Sequence, residues 1–411
     1  MKIIISTGQG RLHLIDSLRA IKRNVDDYRL ITGWVPNNTP RYIVEYLGKV
    51  VGRKKGFYES MMKRSPSDID SSKIKSCSFS EFLQQALFLL SNRGIISREN
   101  AAVIGWSVYG YCSKRHINNA DIFHVRSGAG QGGAIRKARS KGMKIIVDHS
   151  IAHPAEVFKQ LKKIESEENI SITPDSKFWR MVLRDCNEAD ILLVNSEYVK
   201  QSFVDEGWDA SAIEVIPLGV RDDFIKLKTD YSRSDMLKLL FTGSFSSRKG
   251  ANILIEMTKI LIDRNQKFEL NIIGNIEKRE ALPNWFLKCE HIKFHGHLLQ
   301  DELKKHFSEN DIYIFPTYAE GAAQSVKEAM AAGMPVITTF NSGAPIISGE
   351  SGILIPVHDV QSLISSLDLL GSNAELRQEM GIMASRVILK EHNWETYSER
   401  ILGLFSENSS R

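Results

Sequence analysis

Short apolar runs alternate with longer amphipathic segments along most of the chain. Residues 2–6 are largely apolar, and Leu12, Ile15, Leu18 and Ile21 then recur every three positions, as on one face of a helix. Strands that are apolar along their whole length and are separated by helices are typical of parallel sheets covered on both faces. The pattern therefore predicts an α/β fold.

The alternation runs through two series of strands. In the first half, strands are predicted at residues 2–6, 28–32, 121–125, 144–148, 191–195 and 213–218, and residues 41–115 are predicted to be mostly helical. In the second half, strands are predicted at residues 238–243, 268–274, 292–296, 311–316, 335–339 and 352–356. Two series indicate two Rossmann-like domains that join near residues 217–224. Because ligands bind at the carboxyl ends of parallel strands, we expect those ends to face each other across a cleft.

Composition narrows the class of protein. The 411 residues include 54 basic and 49 acidic side chains, and this net charge of +5 does not by itself call for nucleic acid. The four cysteines lie far apart without a CxxC pair, which argues against a zinc site or a disulfide framework and favours a reducing, cytoplasmic setting. The first residues lack the apolar core of roughly 7–15 residues that a secretory signal needs. No apolar run approaches the roughly 20 residues of a membrane span.

Two glutamates, Glu320 and Glu328, stand eight positions apart after the strand predicted at 311–316. Pro316 helps to end that strand because proline has no amide for a sheet ladder. Residues 322–332 then form a strong helical pattern without glycine or proline. Glu320 is therefore predicted in the loop at the carboxyl end of the strand, and Glu328 inside the helix.

The start of this helix is a candidate phosphate site. Its first amides, near Ala322 to Gln324, have no acceptor within the helix and would bind an anion with the help of the helix dipole. The small residues Gly321, Ala322 and Ala323 allow close approach of the backbone. A carboxylate on each side suits a nucleotide sugar, because one could accept hydrogen bonds from a ribose diol and the other from sugar hydroxyls. Taken alone, the stretch fits an ordinary helix start equally well.

A second motif follows the strand that ends at Gly243. A Ser-rich loop leads to Arg248 and Lys249, which precede the next helix. Two cations at the carboxyl end of a strand, beside an anion-binding helix terminus, are suited to neutralise a diphosphate and to stabilise the charge that grows as it departs. By itself, such a loop is more typical of a solvated basic surface.

Together, these stretches resemble the retaining glycosyltransferases of the GT-B fold, in glycosyltransferase family 4. The resemblance covers residues 188–405 well and the first 187 residues poorly, and the spacing of Glu320 and Glu328 is the signature of the family. The stretches that carry it are EADILLVNSEYVKQSF (188–203), IEVIPLGVRDDF (213–224), GSFSSRKG (243–250), NIIGN (271–275), IKFHGHL (292–298), DIYIFPTYAEGAAQSVKEAMAAGMPVITT (311–339), SGILIPVHD (351–359) and HNWETYSERILGLF (392–405).

The resemblance implies how the chain is organised. Residues 1–217 would form the acceptor-binding domain, together with a C-terminal helix at 390–411 that crosses back onto it. Residues 218–389 would form the domain that binds the nucleotide-sugar donor. It also implies site roles: Glu328 holds the donor ribose, Glu320 contacts the donor sugar near the reacting centre, Arg248 and Lys249 hold the diphosphate, and main chain around Gly274 and His297 frames the base.

Two departures from the family pattern bear on these roles. The family usually has arginine directly after Gly243, where this chain has Ser244, so we expect Arg248 to supply the missing cation. Ala322 and Ala323 stand where phenylalanine and glycine are common, which we expect to reshape the sugar pocket.

The first half of the chain must hold the acceptor. Gly8 and Gly10 lie at a strand-to-helix turn where backbone can approach a phosphate, but His13 replaces the third glycine of a dinucleotide motif, which weakens an NAD-binding interpretation. The strand at 144–148 leads into His149, the position where family members often carry a histidine close to the donor sugar, with His153 as the second candidate. A histidine there would orient or deprotonate an acceptor hydroxyl, or serve only as a capping or core residue.

Two further segments bear on metal and membrane binding. Asp68 and Asp70 form a DxD, but the flanking residues indicate a loop instead of the strand end that a metal-binding DxD needs. Residues 41–64 are basic with interleaved apolar side chains, a composition that fits contact with an anionic membrane or an ordinary amphipathic helix.

The site residues and the family resemblance together predict a hexosyltransferase-type glycosyltransferase that moves a sugar from a nucleotide-sugar donor to a hydroxyl acceptor, a saccharide or a lipid-linked one. The resemblance implies that this enzyme is retaining and that it acts in polysaccharide or glycolipid assembly. We expect no cofactor and no metal, because the family uses protein cations and helix termini to take the phosphate charge. The expected location is cytoplasmic, with peripheral contact at the inner face of the membrane through 41–64 as an option. The alternatives are a GT-B nucleotide-sugar epimerase and a catalytically silent GT-B partner subunit, and the base (uracil, guanine or adenine), the sugar and the linkage stay open.

Overall fold

The computed structural model describes residues 1–9, 13–36, 39–50, 57–62, 67–166, 170, 172–232 and 235–408. Within these ranges the chain forms two sheets, one of seven strands and one of six, and every strand pairing is parallel. The predicted α/β fold with two sheets is confirmed.

The first sheet has the strand order β3-β2-β1-β4-β5-β6-β7. Its strands are β1 (Lys2–Ser6), β2 (Asp27–Thr32), β3 (Ile74–Ser76), β4 (Ile122–Arg126), β5 (Lys144–His149), β6 (Ile191–Val194) and β7 (Ile213–Val215). The central strands are buried on both faces, as their continuous apolar runs predict.

Strand β3 corrects the prediction that residues 41–115 are mostly helical. It contains three residues and pairs with β2, with Leu30 opposite Ile74. A run this short shows no sequence period, so its conformation depends on the edge of β2 that it completes.

Helices cover both faces of the first sheet. They are α1 (Leu14–Ile21), α2 (Arg41–Val50), α3 (Phe57–Met62), α4 (Ser78–Asn92), α5 (Arg98–Ser113), α6 (Ala134–Arg139), α7 (Pro154–Leu161), α8 (Lys177–Asn187) and α9 (Glu197–Val204). Serine side chains cap two of these helices: the Ser97 hydroxyl accepts from the Asn100 amide at 3.1 Å at the start of α5, and the Ser196 hydroxyl accepts from the Val199 amide at 3.3 Å at the start of α9.

The second sheet has the strand order β10-β9-β8-β11-β12-β13. Its strands are β8 (Leu237–Thr242), β9 (Phe268–Ile273), β10 (Ile292–Gly296), β11 (Ile312–Phe315), β12 (Val336–Thr339) and β13 (Ile353–Ile355). The helices of the second half are α10 (Ala251–Asp263), α11 (Asn284–Leu287), α12 (Gln300–Glu309), α13 (Gln324–Ala332), α14 (Val360–Ser372), α15 (Ala374–Glu391) and α16 (Trp394–Asn408). None of the helices described is both long and apolar enough to cross a bilayer.

The chain passes between the two sheets twice, and the two passages lie side by side. The first follows β7, and the second joins α15 to α16, which packs Tyr397, Ile401 and Phe405 into the same core as α1. The Val220 amide of the first passage donates to the His392 carbonyl of the second at 2.9 Å. A motion of one sheet relative to the other must therefore bend both passages together.

Candidate active site

The strand order of the second sheet reverses between β8 and β11, the kind of position where α/β sheets bind ligands. The loops that follow these two strands touch. Gly250 has a φ of +86°, and a Cβ at this position would lie 2.2 Å from the Pro316 carbonyl oxygen, so only glycine fits. The Arg248 carbonyl also accepts from the Tyr318 amide at 2.9 Å. The two predicted motifs therefore form one site.

A carboxylate and two cations meet at this junction. The Arg248 Nη1 lies 2.7 Å from Glu320 Oε1, and the Lys249 Nζ lies 3.6 Å from the same oxygen. Arg248 Nη1 directs its hydrogen bond to the Ala319 carbonyl at 2.7 Å, so its contact with Glu320 is an ion pair in which Oε1 accepts no directed hydrogen bond. All three charged side chains are largely screened from solvent, which strengthens their mutual attraction.

The loop that contains Glu320 and Gly321 is in direct contact with the first domain. The Glu320 carbonyl accepts from the Ala152 amide at 3.2 Å, and the Gly321 carbonyl accepts from the Ser196 hydroxyl. A Cβ on Gly321 would lie 1.9 Å from the Ser150 carbonyl oxygen. The ends of β5 and β6 therefore complete the site from the other side of the cleft.

The predicted anion site at the start of α13 is only partly available. The helix begins at Gln324, and Ala323 is its N-cap residue without a capping side chain. The Ala323 amide, which was expected to be open to a phosphate, donates to the Ser342 carbonyl at 2.8 Å. The loop after β12 thus folds back onto the helix start, which the sequence pattern of the helix does not reveal. Ala322 and Gly321 remain beside the charged cluster.

Glu328 lies within α13 on the side that faces the first passage between the domains. Burial raises the pKa of its carboxyl to about 7, while the charges of Arg221 and Lys327 lower it and that of Asp223 raises it. Among the described residues, no side chain or amide forms a hydrogen bond with this carboxylate. A carboxylate in such a position can accept hydrogen bonds from a bound diol. Sequence reasoning missed Arg221 as its charged neighbour.

The glycines at the ends of β8 and β9 bring backbone close together. Gly243 and Gly274 have φ values of +128° and +134°, and a Cβ on Gly274 would lie 2.1 Å from the Gly243 carbonyl oxygen. A Cβ on Gly243 would approach the Lys249 Nζ to 3.0 Å. The structure thus places Lys249 over the end of β8. Ser244 follows Gly243 and is half-buried, and His297 follows β10 and is exposed.

The two histidines after β5 have different environments. His149 is buried, its Nδ1 lies 2.9 Å from the Ser127 hydroxyl, and its Nε2 has no hydrogen-bond partner. Burial lowers the pKa of His149 to about 3, so its ring is neutral. The His153 Nδ1 accepts from the Ala155 amide at 3.2 Å and caps α7, which is the structural role considered for it. Of the two, His149 keeps an unsatisfied ring nitrogen.

A histidine–aspartate pair next to these residues was missed at the sequence level. His13 Nε2 lies 2.6 Å from Asp148 Oδ1, and the Ser150 hydroxyl donates to the same oxygen at 3.1 Å. Burial would raise the pKa of Asp148, but His13 and His124 more than offset it and hold that pKa well below its usual range. Asp148 is the penultimate residue of β5, and His13 lies between β1 and α1, so both lie near the carboxyl ends of strands, which is the signal that could have found them.

The remaining predicted site residues have simple outcomes. Gly10 lies outside the described residues, so its predicted contact with the donor stays a prediction. Asp68 forms surface ion pairs with Arg19 and Lys22, and Asp70 caps the turn at residues 71–73. These two acids therefore stabilise a loop at the edge of the first sheet.

The second half of the chain matches a known family. Residues 226–387 match the model of the glycosyl transferases group 1. This chain carries a glycosyl transferases group 1 domain. It is 29% identical over 190 residues to the amylovoran biosynthesis glycosyltransferase AmsK of Erwinia amylovora, covering 43% of this chain and 46% of that protein. It is 28% identical over 245 residues to the D-inositol 3-phosphate glycosyltransferase of Corynebacterium jeikeium, covering 54% of this chain and 58% of that protein. The chain thus matches about half the length of these relatives.

Solved structures resemble the whole chain, including the half outside the group 1 domain. A sucrose-phosphate synthase from Thermosynechococcus elongatus has a TM-score of 0.70 at 14% identity and covers 99% of this chain and 98% of its own. The HepE protein of Anabaena, solved in complex with UDP and glucose, has a TM-score of 0.61 at 14% identity and covers 99% of both chains. These likenesses show the fold, and the group 1 domain of this chain is one half of a GT-B architecture.

Proposed function

We propose that this protein is a retaining glycosyltransferase that moves a sugar from a nucleotide-sugar donor to a hydroxyl acceptor. The observation that carries the proposal is the convergence of Glu320, Arg248 and Lys249 at the switch point of the second sheet, closed by the ends of β5 and β6. The membership of the second domain in the glycosyl transferases group 1 supports the reaction class.

The proposed donor lies along the second domain. Its diphosphate would sit against Arg248 and Lys249, and its ribose would donate hydrogen bonds to Glu328. A structural neighbour of this fold binds UDP, and another was solved with UDP-2-fluoro glucose, so UDP sugars are the first donors to test. We expect no metal requirement, because two cations stand where the departing diphosphate would develop charge.

The proposed chemistry is a front-side displacement. Glu320 is held by two cations through Oε1, which makes that oxygen a weak nucleophile and leaves the carboxylate to position a hydroxyl of the donor sugar. His149, neutral and with a free Nε2, would orient the acceptor hydroxyl from the first domain. The leaving diphosphate gains charge beside Arg248 and Lys249, which stabilises the transition state more than the bound donor.

We further propose that the acceptor is lipid-linked and that the first domain rests on the inner face of a membrane. Helix α2 exposes Tyr42 and Tyr46, and α4 exposes Phe79, Phe82 and Leu89 at helical spacing. The sequence of α2 and the residues after it is basic, which suits an anionic surface. Part of the predicted contact, residues 51–56 and 63–64, lies outside the described residues.

The experiment that tests the donor proposal is a thermal-shift panel with UDP, GDP and ADP on the wild type and on Glu328→Ala. A nucleotide at 100 times its dissociation constant stabilises the protein by about 2.7 kcal/mol. We expect one nucleotide to stabilise the wild type and to lose most of that effect in the variant. Glu379→Ala, an exposed glutamate on α15, is the matched control. Equal stabilisation of all three proteins would contradict the ribose role, and no stabilisation by any nucleotide would contradict the function.

The membrane proposal has its own test. Flotation with vesicles of phosphatidylglycerol and phosphatidylcholine should recover the wild type only with the anionic lipid, and Phe79→Glu combined with Tyr42→Glu should abolish the recovery. Unchanged flotation of this variant, or no flotation of the wild type, would refute contact through α2 and α4.

A further inference from the structure

A cavity of about 330 Å³ lies between the domains, beside the two passages of the chain. We call it the hinge cavity, and its walls include Asn195 and Ser196 of the first domain, Lys327 and Gly343 of the second, and His392 and Arg400 of the second passage and α16. None of the four side chains assigned to the donor, Arg248, Lys249, Glu320 and Glu328, lines it. The cavity therefore has a lining of its own, although it borders the donor site, because the Ser196 hydroxyl bonds to the Gly321 carbonyl and Lys327 precedes Glu328 in α13.

The hinge cavity contains a buried cation. Lys327 is 1% exposed, and its Nζ donates to the Leu218 carbonyl at 2.7 Å. Within the described part of the chain, no carboxylate lies within ion-pair distance of this ammonium group. Burial lowers the pKa of Lys327 to about 8, and the charge of Glu328 offsets only part of that effect. A buried ammonium group without a direct carboxylate partner is costly, and an anion in the cavity would reduce that cost.

Three other polar groups of the cavity walls are buried without partners. Asn195 Oδ1, the Tyr198 hydroxyl and His392 Nδ1 form no hydrogen bond, and the exposed fractions of these residues are 8%, 4% and 8%. Burial, together with the positive charges of Lys327 and Arg400, lowers the pKa of His392 to about 4. His392 is thus neutral, and it offers one more donor or acceptor beside two cations. Groups of this kind are normally satisfied by a ligand or by ordered water.

The chemistry of these walls selects the class of ligand. Lys327 and the exposed Arg400 supply positive charge, and His392 Nδ1 can donate to an oxyanion in one tautomer. Asn195 Oδ1 needs a donor, which a protonated phosphate oxygen or a neighbouring hydroxyl provides. The acidic wall residue Glu197 is exposed and can turn to solvent. The size matches the lower end of ligand pockets in proteins, which span about 300–1,000 Å³.

We propose that the hinge cavity binds a phosphoryl oxyanion, either inorganic phosphate or the phosphoryl group of a small phosphomonoester. Asn195 belongs to the first domain and Lys327 to the second, so a ligand that contacts both binds only when the domains have the arrangement seen here. Such a ligand favours this arrangement by its difference in affinity between the closed and open forms. The site is therefore a place where a phosphorylated metabolite would regulate closure of the cleft.

The test measures binding, so it is independent of the proposed transferase activity. Calorimetric titration with inorganic phosphate, at an ionic strength held constant with chloride, should show binding to the wild type. Asn195→Asp places a carboxylate where the unpartnered oxygen lies and should abolish it. Arg400→Gln should weaken it about 5-fold, as expected for one exposed charge, and Arg386→Gln, an exposed arginine of α15 outside the cavity, should leave it unchanged.

Two further measurements separate the alternatives. Lys249→Gln should bind phosphate as the wild type does. If Lys249→Gln lost phosphate binding and Asn195→Asp kept it, phosphate would occupy the donor site, and the proposal would be overturned. If the wild type does not bind inorganic phosphate, the same titration with glycerol 3-phosphate decides whether the cavity binds a phosphomonoester instead. If neither binds, the proposal is wrong. Bound phosphate should also slow amide exchange at Val220, whose amide joins the two passages.

Discussion

The pH dependence of stability tests the environment of Glu328 directly. Burial raises the pKa of this carboxyl from its ordinary 4.5 to about 7, and Arg221 and Lys327 limit the rise. The folded protein therefore holds a proton that the unfolded chain loses at lower pH. The ionised carboxylate lowers the free energy of unfolding. This loss is absent below pH 4.5, grows as the pH rises towards 7 and is constant above pH 7. The wild type should lose stability across this window, and Glu328→Gln should not.

The expected size follows from the same values. One unit of pKa corresponds to about 1.4 kcal/mol, so the difference between 4.5 and about 7 amounts to about 3 kcal/mol. The side chain is partly exposed to water, which screens the effect, and about 2 kcal/mol is our expectation. In a domain of 150–250 residues, this shifts the melting temperature by roughly 4–8 °C.

The assay is thermal unfolding of the wild type and Glu328→Gln at pH 5, 6, 7 and 8, with Glu379→Gln as the control for an exposed helical glutamate. We expect the melting temperature of Glu328→Gln to exceed that of the wild type at pH 8 and the two to converge towards pH 5. The affinity of the wild type for the nucleotide should rise with pH, because a ribose diol donates hydrogen bonds to the ionised carboxylate. The wild type should therefore bind more tightly at pH 8 than at pH 5, and Glu328→Gln should bind weakly at every pH. A constant difference between wild type and variant at all four pH values would refute the reasoning.

Three further predictions concern the rest of the site. Gly321→Ala introduces a Cβ that would lie 1.9 Å from the Ser150 carbonyl oxygen. Overpacking of this kind usually costs about 1–3 kcal/mol, so we expect kcat/KM to fall roughly 5- to 150-fold while the thermal unfolding of the domains stays unchanged. Wild-type activity of this variant would show that the contact between the domains is dispensable. Arg248→Gln should weaken nucleoside diphosphate binding roughly 10- to 100-fold, measured by calorimetry, whereas Arg264→Gln, on the exposed face of the second domain, should not; equal effects would exclude a direct phosphate contact. Turnover should survive treatment with EDTA, and a loss that Mg²⁺ restores would show that a metal takes the charge we assign to Arg248 and Lys249.

Local patterns account for most of the fold that was predicted. The central strands of both sheets are largely apolar runs of four to six residues, and burial on both faces demands such runs in a parallel sheet. The caps at Ser97 and Ser196 and the glycine at the end of α13 are also local, because each satisfies backbone groups within one turn of its helix. Strand β3 escaped prediction because three residues carry no period.

Some residues of the site could also be predicted from local sequence patterns. Glu320, Glu328, Arg248 and Lys249 were found from strand ends and helix starts, since residues at the carboxyl ends of parallel strands are brought to one edge of a sheet by the topology itself. The sequence alone therefore determined the two-sheet α/β plan and the identity of these four charged residues.

Only the tertiary structure decided how these residues meet. The ion pair of Arg248 with Glu320, the donation of the Ala323 amide to Ser342 and the pairing of His13 with Asp148 each join segments that are distant along the chain. Such contacts depend on side-chain packing and on the relative placement of two domains, and no periodicity encodes them. For the same reason the hinge cavity, whose walls come from both domains and from both passages between them, becomes visible only once the chain is folded.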